Sequence, residues 1–171
     1  RPQDARRILC SPATRDEVLD TIQGTPASRL PLEVVDDDQL ESLVGNQHEG
    51  LCVAARLREF RSPLDVGEQI KKSKGTAIAL DRVRNPYNVG AILRSAAFFG
   101  VEGLLLGAPA PHPGLAPQAV RVAEGGAEHV LLERTTDLAE TVGRLQGMGI
   151  TIVGAESGTS TSLFEYAFSG P

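Results

Sequence analysis

The chain has few of the residues from which disulfide frameworks and metal centres are built. Its 171 residues include only two cysteines and three histidines, and none of them stands at a Cys/His spacing typical of a zinc site. Cys10 and Cys52 could formally form one disulfide, but nothing else suggests secretion, so we expect two unpaired thiols. The composition argues against a disulfide-rich secreted protein and predicts no metal site.

Long apolar runs and phosphate-binding glycine patterns are lacking as well. No run approaches the ~20 apolar residues that span a membrane, and no basic stretch followed by an apolar one marks a secretory signal. Gly125-Gly126 fits neither the dinucleotide-binding nor the P-loop spacing, which argues against an unrelated nucleotide-binding α/β domain. We therefore expect a cytoplasmic protein without a membrane partner.

An overall excess of positive charge is also lacking, because the formal net charge is −5. The middle of the chain differs from the rest: residues 59–107 hold seven Lys/Arg against five Asp/Glu. A local basic patch on an acidic protein can still meet phosphates, since the local potential decides the encounter. Its basic residues include Lys71, Lys72, Lys74, Arg82, Arg84 and Arg94. For the three lysines alone, a solvated linker is the favoured interpretation.

Alternating strand and helix patterns predict two α/β units. In residues 1–58 we expect strands at 7–10, 32–35 and 51–55 and helices at 16–23 and 36–44. Residues 59–75 are predicted to be a linker with a short helix near 66–72. In residues 76–171 we expect strands at 76–81, 103–106, 130–132 and 150–153 and helices at 88–99, 116–124 and 137–146. Near-continuous apolar strands between helices indicate a parallel sheet covered on both faces, whose ligands gather at the carboxyl ends of the strands.

The most informative segment directly follows the strand predicted at 76–81. It reads Asn85-Pro86-Tyr87-Asn88-Val89-Gly90-Ala91-Ile92-Leu93-Arg94-Ser95-Ala96. The pattern predicts a tight polar loop and a helix that starts with Asn88 as its N-cap. Arg94 falls off the apolar stripe of this helix, so it can reach a ligand at the edge of the sheet. A surface arginine and a purely structural cap are the plain alternatives for Arg94 and Asn88.

This segment resembles motif 1 of the SpoU (TrmH-like) RNA ribose 2′-O-methyltransferases, the knotted SPOUT class. Asn88, Gly90, Arg94 and Ala96 fall on the family pattern. The resemblance continues in residues 124–130, which are similar to the family's Gly-Ala-Ala-Glu-Xaa-Val segment. It also extends upstream to residues 45–51, which are similar to its His-Gln-Gly segment. The resemblance therefore covers nearly the whole chain, with motif 1 its sharpest part.

The resemblance implies a fold and a reaction. The expected fold is a small N-terminal α/β substrate-binding domain (1–58), a linker (59–75) and the first part of a parallel-sheet SPOUT domain (76–171). That domain carries a trefoil knot when complete. The implied reaction transfers a methyl group from S-adenosylmethionine to a ribose 2′-hydroxyl of rRNA or tRNA, catalysed by a homodimer. An alternative is a non-catalytic RNA-binding protein that keeps the fold and lacks the cofactor site.

The resemblance also assigns roles to residues. Arg94 and Asn88 are expected to be catalytic, with the arginine orienting the target hydroxyl and a neighbouring phosphate, because arginine is effectively never deprotonated. Gly154, Ala155 and Glu156 are expected beside the cofactor. RNA contacts are expected from Arg82, Arg84, Lys71, Lys72 and Lys74.

The sequence departs from the family pattern in one respect. Neither the Gly-Asn/Ser-Glu segment of motif 2 nor the Ser-Leu-Asn-Val segment of motif 3 is found, and in the family these motifs form the main cofactor pocket. We therefore expect residues 1–171 alone to be inactive and to bind S-adenosylmethionine weakly. No convincing general base is seen in the sequence.

Overall fold

Strands and helices alternate along the chain and build two units. The computed structural model describes residues 2–107 and 115–167, and the chain divides into Arg1–Arg58 and Glu59–Pro171. The proline-rich stretch 108–114, which the sequence predicts to be a stiff connector, lies outside the described residues, as do residues 168–171. Among the helices that are described, none has both the length and the apolar character needed to cross a membrane.

The first unit is a three-stranded mixed sheet with helices between its strands. The strands β1 (Ala5–Cys10), β2 (Leu32–Val34) and β3 (Leu51–Ala55) lie in the order β2-β1-β3. β1 pairs parallel to β2 and antiparallel to β3. The helices are α1 (Arg15–Ile22) and α2 (Asp37–Val44). All five predicted elements of this unit are therefore present.

The two cysteines lie on opposite faces of this sheet. In the pairing of β1 with β3, Cys10 lies opposite Leu51, and Cys52 lies opposite Leu9. Because successive side chains of a strand alternate between the two faces, the thiols point away from each other. Both are free, which confirms the expectation of unpaired thiols, although Cys52 is only half-buried.

The stretch 59–75, predicted to be a linker with a short helix near 66–72, holds a longer helix of eleven residues, α3 (Pro63–Ser73). Its start is a capping box: the Ser62 side chain accepts from the Asp65 backbone N–H, and the Asp65 side chain accepts from the Ser62 backbone N–H. These bonds hold the pKa of Asp65 below its usual value. Val66 and Ile70 are buried. The predicted helix is therefore present and starts earlier than expected, at the capping box, while the packing of its buried residues stabilises it.

The second unit is built on a three-stranded parallel sheet, as predicted. Its strands β4 (Ala77–Asp81), β5 (Gly103–Gly107) and β6 (Leu131–Thr135) lie in that order. Its other helices are α4 (Pro86–Phe98), α5 (Pro117–Ala123) and α6 (Leu138–Gly147). Leu104 and Leu106 of β5 pack with α4 and α5, whereas Leu105 packs with α3 and α6. The alternation of side chains along β5 therefore gives the sheet a core on each face.

The start of α4 corrects the prediction for Asn88. Asn85 is the N-cap, and its side-chain Oδ1 accepts a hydrogen bond from the Tyr87 backbone N–H at 2.9 Å. Pro86 occupies the first helical position, which suits proline because the missing N–H would be unpaired there and its φ is already helical. Asn88 is therefore inside the first turn and does not cap the helix.

The strand predicted at 150–153 is not formed. Ile150 is buried against Leu105 and Leu145, but residues 151–155 are exposed and have no regular secondary structure. Residues 151, 153 and 155 line a cavity of about 250 Å³ together with Ala77 and Ala79 of β4. Within the part of the chain that the structure describes, no strand pairs with residues 150–153, so this apolar run has no ladder to complete it.

One carboxylate is buried within the second unit. Glu133 lies in β6 opposite Leu105, and only 2% of its surface is exposed. Its Oε2 atom has no hydrogen-bond partner among the residues that the structure describes. Burial raises the pKa of Glu133 to about 7 from its ordinary value of 4.5, because removing a carboxylate from water disfavours its charged form.

This burial predicts that the second unit loses stability as the pH rises. The folded state holds the Glu133 proton more tightly than the unfolded state, so the free energy of unfolding should fall between about pH 4.5 and pH 7. The loss should be on the order of 3 kcal/mol. Glu133→Leu should raise stability at pH 8 and flatten this dependence in urea unfolding, whereas Glu140→Gln, on an exposed helix position, should leave it unchanged. An unaltered slope in Glu133→Leu would show that folding does not shift the pKa of Glu133.

Candidate functional site

The carboxyl edge of the parallel sheet brings together the ends of its three strands. β4 ends at Asp81, β5 at Gly107 and β6 at Thr135, and these residues are in register. α4 starts a few residues after β4, so the capping residue Asn85 belongs to the same edge. Ligands of parallel α/β sheets bind at this edge, and motif 1 is therefore where the sequence pattern predicts it.

Arg94 is exposed and lies off the buried stripe of α4, as predicted. That stripe consists of Val89, Leu93 and Ala96. Arg94 is the ninth residue of α4, about 12 Å along the axis from Pro86 at ~1.5 Å per residue. Its Nη1 atom donates to Oε1 of Glu124 at 2.9 Å, and each of the two side chains is 59% exposed. The guanidinium thus bonds to the residue that follows α5.

Asn88 and Arg94 are both exposed residues of α4. They are six residues apart, which corresponds to about 9 Å along the helix axis and roughly 120° around it at ~3.6 residues per turn. They therefore flank the buried stripe on different sides, and their side chains do not face each other. The side chains of a helix lean toward its N-terminus, so that of Arg94 leans toward the carboxyl edge of the sheet.

Arg82 stands directly at the carboxyl edge in an unusual backbone conformation. Its φ is +59°, in the left-handed region that residues other than glycine seldom adopt. Its Nε atom lies 3.6 Å from Oδ1 of Asp81. Asp81 and Arg82 line a cavity of about 440 Å³ with residues 136–139 and 142, at the start of α6. Arg84 is exposed in the loop that leads to α4.

The three lysines of the predicted basic patch lie at the other edge of the sheet. Lys71 and Lys72 are in the last turn of α3, and Lys74 is its C-cap, with a φ of +55°. β4 starts shortly after Lys74 and ends just before Arg82, so its five residues separate the lysines from the arginines. At ~3.3 Å per residue this strand spans roughly 17 Å. The basic residues therefore form two groups at opposite edges of the sheet.

The three residues predicted to contact the cofactor lie in an irregular segment. Gly154, Ala155 and Glu156 are exposed, and they line a cavity of about 490 Å³ whose lining residues all fall within 152–166. That lining includes the hydroxyl groups of Thr159, Thr161 and Ser162. Neither Asn88 nor Arg94 lines it, so this cavity and motif 1 are separate features of the unit.

Two residues that shape the site were not predicted from the sequence. Asn85 caps α4, and the adjacent Pro86 was a usable signal for it, since asparagine before proline at a helix start combines an N-cap with the favoured first residue. Glu124 is the partner of Arg94 and lies thirty residues away. No local pattern could identify that contact. In the described parts of the chain, no group of three His, Cys, Asp or Glu side chains is placed to hold a metal ion.

Comparisons with known proteins show the family of the chain. The model of the SpoU rRNA Methylase family matches residues 75–171. The chain is 29% identical over 161 residues, 92% of its length, to a Staphylococcus haemolyticus protein whose name places it in the TrmH family of tRNA/rRNA methyltransferases. It is 33% identical over 137 residues, 79% of its length, to the 23S rRNA (guanosine-2'-O-)-methyltransferase RlmB of Shewanella oneidensis.

A solved structure supports the fold. The chain superimposes on an AdoMet-bound rRNA methyltransferase from Sinorhizobium meliloti with a TM-score of 0.57 and 21% identity, over 84% of this chain and 51% of that one. The chain covers 64% of the Staphylococcus relative and 54% of the Shewanella relative. It therefore spans less than two-thirds of the length of these proteins.

Proposed function

The chain belongs to the SpoU rRNA Methylase family, and we propose that the protein containing it methylates the ribose 2′-hydroxyl of an rRNA or tRNA nucleotide. The observation that carries this proposal is the position of Arg94. A cation stands exposed on the helix that follows the carboxyl end of β4, outside the buried stripe that holds this helix in place. The helix is thus anchored by its apolar side and leaves its polar side open for a substrate.

Arg94 would act as an orienting and charge-stabilising donor. Its guanidinium offers five N–H donors, of which one is bonded to Glu124. The remaining donors can bind a phosphate and the target hydroxyl, which aligns the hydroxyl oxygen and stabilises the negative charge that develops on it. Asn88 is also exposed, in the first turn of α4, and would add an amide that can donate to or accept from the RNA.

S-Adenosylmethionine, when bound, supplies the electrophilic methyl group. We assign its contacts to Gly154, Ala155 and Glu156, whose segment offers a carboxylate suited to hydroxyl groups and backbone amides suited to polar atoms. The hydroxyl-rich cavity of residues 152–166 supports this assignment. A knot, a homodimer and a cytoplasmic location stay predictions from the family resemblance.

The reaction itself can be tested directly. The protein that contains this chain would be incubated with radiolabelled S-adenosylmethionine and with rRNA or tRNA transcripts, and the modified nucleotide would be identified by its resistance to alkaline cleavage. Label in a 2′-O-methylated nucleotide is the expected result. RNA binding without methyl transfer would support the alternative of a non-catalytic RNA-binding protein.

RNA binding is proposed to use both edges of the sheet. Arg82 and Arg84 lie at the edge where motif 1 starts, and the three lysines lie at the opposite edge. Because each phosphate contact releases counterions, log affinity should fall with log salt by on the order of one per contact. Arg82→Ala/Arg84→Ala should lower this slope by about one to two and weaken binding to all RNA sequences alike.

A matched control is Arg144→Ala, which removes an arginine that is already paired with Glu140 at 2.6 Å on α6. It should leave the salt slope unchanged. The triple substitution of Lys71, Lys72 and Lys74 by alanine tests the second edge in the same way. An unchanged slope in the double arginine variant would remove Arg82 and Arg84 from the RNA interface.

A further inference from the structure

Glu124 and Arg94 form an ion pair that joins two different elements. Oε1 of Glu124 accepts from Nη1 of Arg94 at 2.9 Å, and both side chains are largely exposed. Exposed pairs of this kind contribute little to stability, because water and salt screen them and two long side chains lose freedom. A contribution to the stability of the fold therefore does not account for this ion pair.

The backbone of Glu124 is strained. Glu124 is the C-cap of α5 with φ +45° and ψ +49°, in the left-handed region where glycine is the usual residue at the end of a helix. Gly125, the next residue, has a φ of +86°. A glycine at position 124 would adopt this conformation without the steric cost of a Cβ atom. Strained residues other than glycine are concentrated at functional sites, which suggests that the side chain of Glu124 has a function there.

Because Gly126 has no side chain, the turn that contains Glu124 packs closely against α4. A Cβ atom on Gly126 would lie 3.0 Å from the Arg94 Cα atom and 3.1 Å from the Leu93 carbonyl oxygen. The turn after α5 thus approaches the backbone of α4 at the level of Arg94. The backbone of Glu124 is therefore held beside α4, from where its carboxylate reaches the Arg94 guanidinium.

We propose that Glu124 is a positioning residue that holds the Arg94 guanidinium for methyl transfer. One N–H of Arg94 is committed to the carboxylate, and the other donors stay available to the RNA ribose and phosphate. A guanidinium that is already held loses less conformational freedom when the RNA binds. The inference rests on the role proposed for Arg94, so the experiment has to separate the two.

The test compares Glu124→Gly and Glu124→Gln in the methyl-transfer assay of the protein that contains this chain. Glu124→Gly removes the carboxylate and also the backbone strain, so kcat should fall about tenfold or more while Tm stays equal or rises. Glu124→Gln keeps an acceptor oxygen without the charge and should give an intermediate kcat. Glu140→Gln is the control, because Glu140 pairs with Arg144 at similar exposure, 58%, away from α4.

Three outcomes would overturn the proposal. Wild-type kcat in Glu124→Gly would show that Arg94 works without its partner. A lower Tm together with a lower kcat would make Glu124 a structural residue. Wild-type turnover in Arg94→Ala would remove the role of Arg94 itself, and the inference would fail with it. If Arg94→Ala is inactive and Glu124→Gly is fully active, only the positioning role of Glu124 is excluded, and the role proposed for Arg94 remains.

Discussion

Replacing Arg94 with alanine is expected to lower the rate of methyl transfer by about 10²–10³-fold, the cost of removing one donor that stabilises developing negative charge. Folding should be almost unaffected, because the side chain is 59% exposed and lies outside the buried stripe of α4. Losing its exposed pair with Glu124 should change the free energy of unfolding by no more than about 1 kcal/mol. Single-turnover kinetics and thermal unfolding of the same preparations measure the two quantities.

Two further variants show whether charge or geometry matters at this position. Arg94→Lys keeps the positive charge but loses the planar array of donors that binds hydroxyl and phosphate together, so it should recover only a small part of the rate. Arg144→Ala removes another exposed, carboxylate-paired arginine of the same unit and should leave the rate unchanged. Wild-type turnover in Arg94→Ala would exclude Arg94 from catalysis and leave motif 1 without its proposed active residue.

The features predicted correctly from the sequence are those that depend on neighbours along the chain. The buried stripe of α4 repeats within a few residues, so the spacing of its apolar residues is enough to place Arg94 off that stripe. The helix expected at 137–146 is α6, and Asp137 caps it with a side chain that accepts from the Glu140 backbone N–H at 2.8 Å. The continuous apolar runs of β4 and β5 likewise predicted a parallel sheet with a core on each face.

The predictions that differ from the structure involve contacts between distant parts of the chain. The apolar residues 150–153 have strand character, but a strand needs a ladder partner, and among the described residues they form none with the side of β4 that faces away from β5. The pair of Arg94 with Glu124 depends on how α5 packs against α4, which no local spacing reports. The lysines and arginines of the basic region are neighbours in sequence, yet the length of β4 separates them.

The choice between the two asparagines of motif 1 is an intermediate case. Asn85 and Asn88 are both good capping residues, and the sequence analysis placed the cap at Asn88. Pro86 settles the choice physically, because it has no N–H to bond and its φ suits the first helical position. The information was local, and the error arose from treating Asn85-Pro86 as a turn alone.

Gly90, the glycine of motif 1, is expected to be a packing residue whose replacement strongly destabilises the second unit. A Cβ atom there would lie 2.5 Å from the Ala119 carbonyl oxygen and 2.8 Å from the Val122 Cβ atom. The nearest of these atoms belongs to the backbone of α5, so relief requires α4 and α5 to move apart. Their contact includes Val89, Leu93 and Ala119, which are buried in one core cluster.

Gly90→Ala should therefore lower the free energy of unfolding by about 1–3 kcal/mol, the cost of overpacking a core, even though alanine is the better helix former. The control is Gly143→Ala in α6, where no atom lies within 4 Å of the added Cβ and where alanine should stabilise by roughly 0.5–1 kcal/mol. Glu124 directly follows α5. Moving α5 away from α4 should therefore also weaken the hydrogen bond between Glu124 and Arg94 and slow methyl transfer. Equal stabilisation of both variants in urea unfolding would contradict the close contact of α4 with α5.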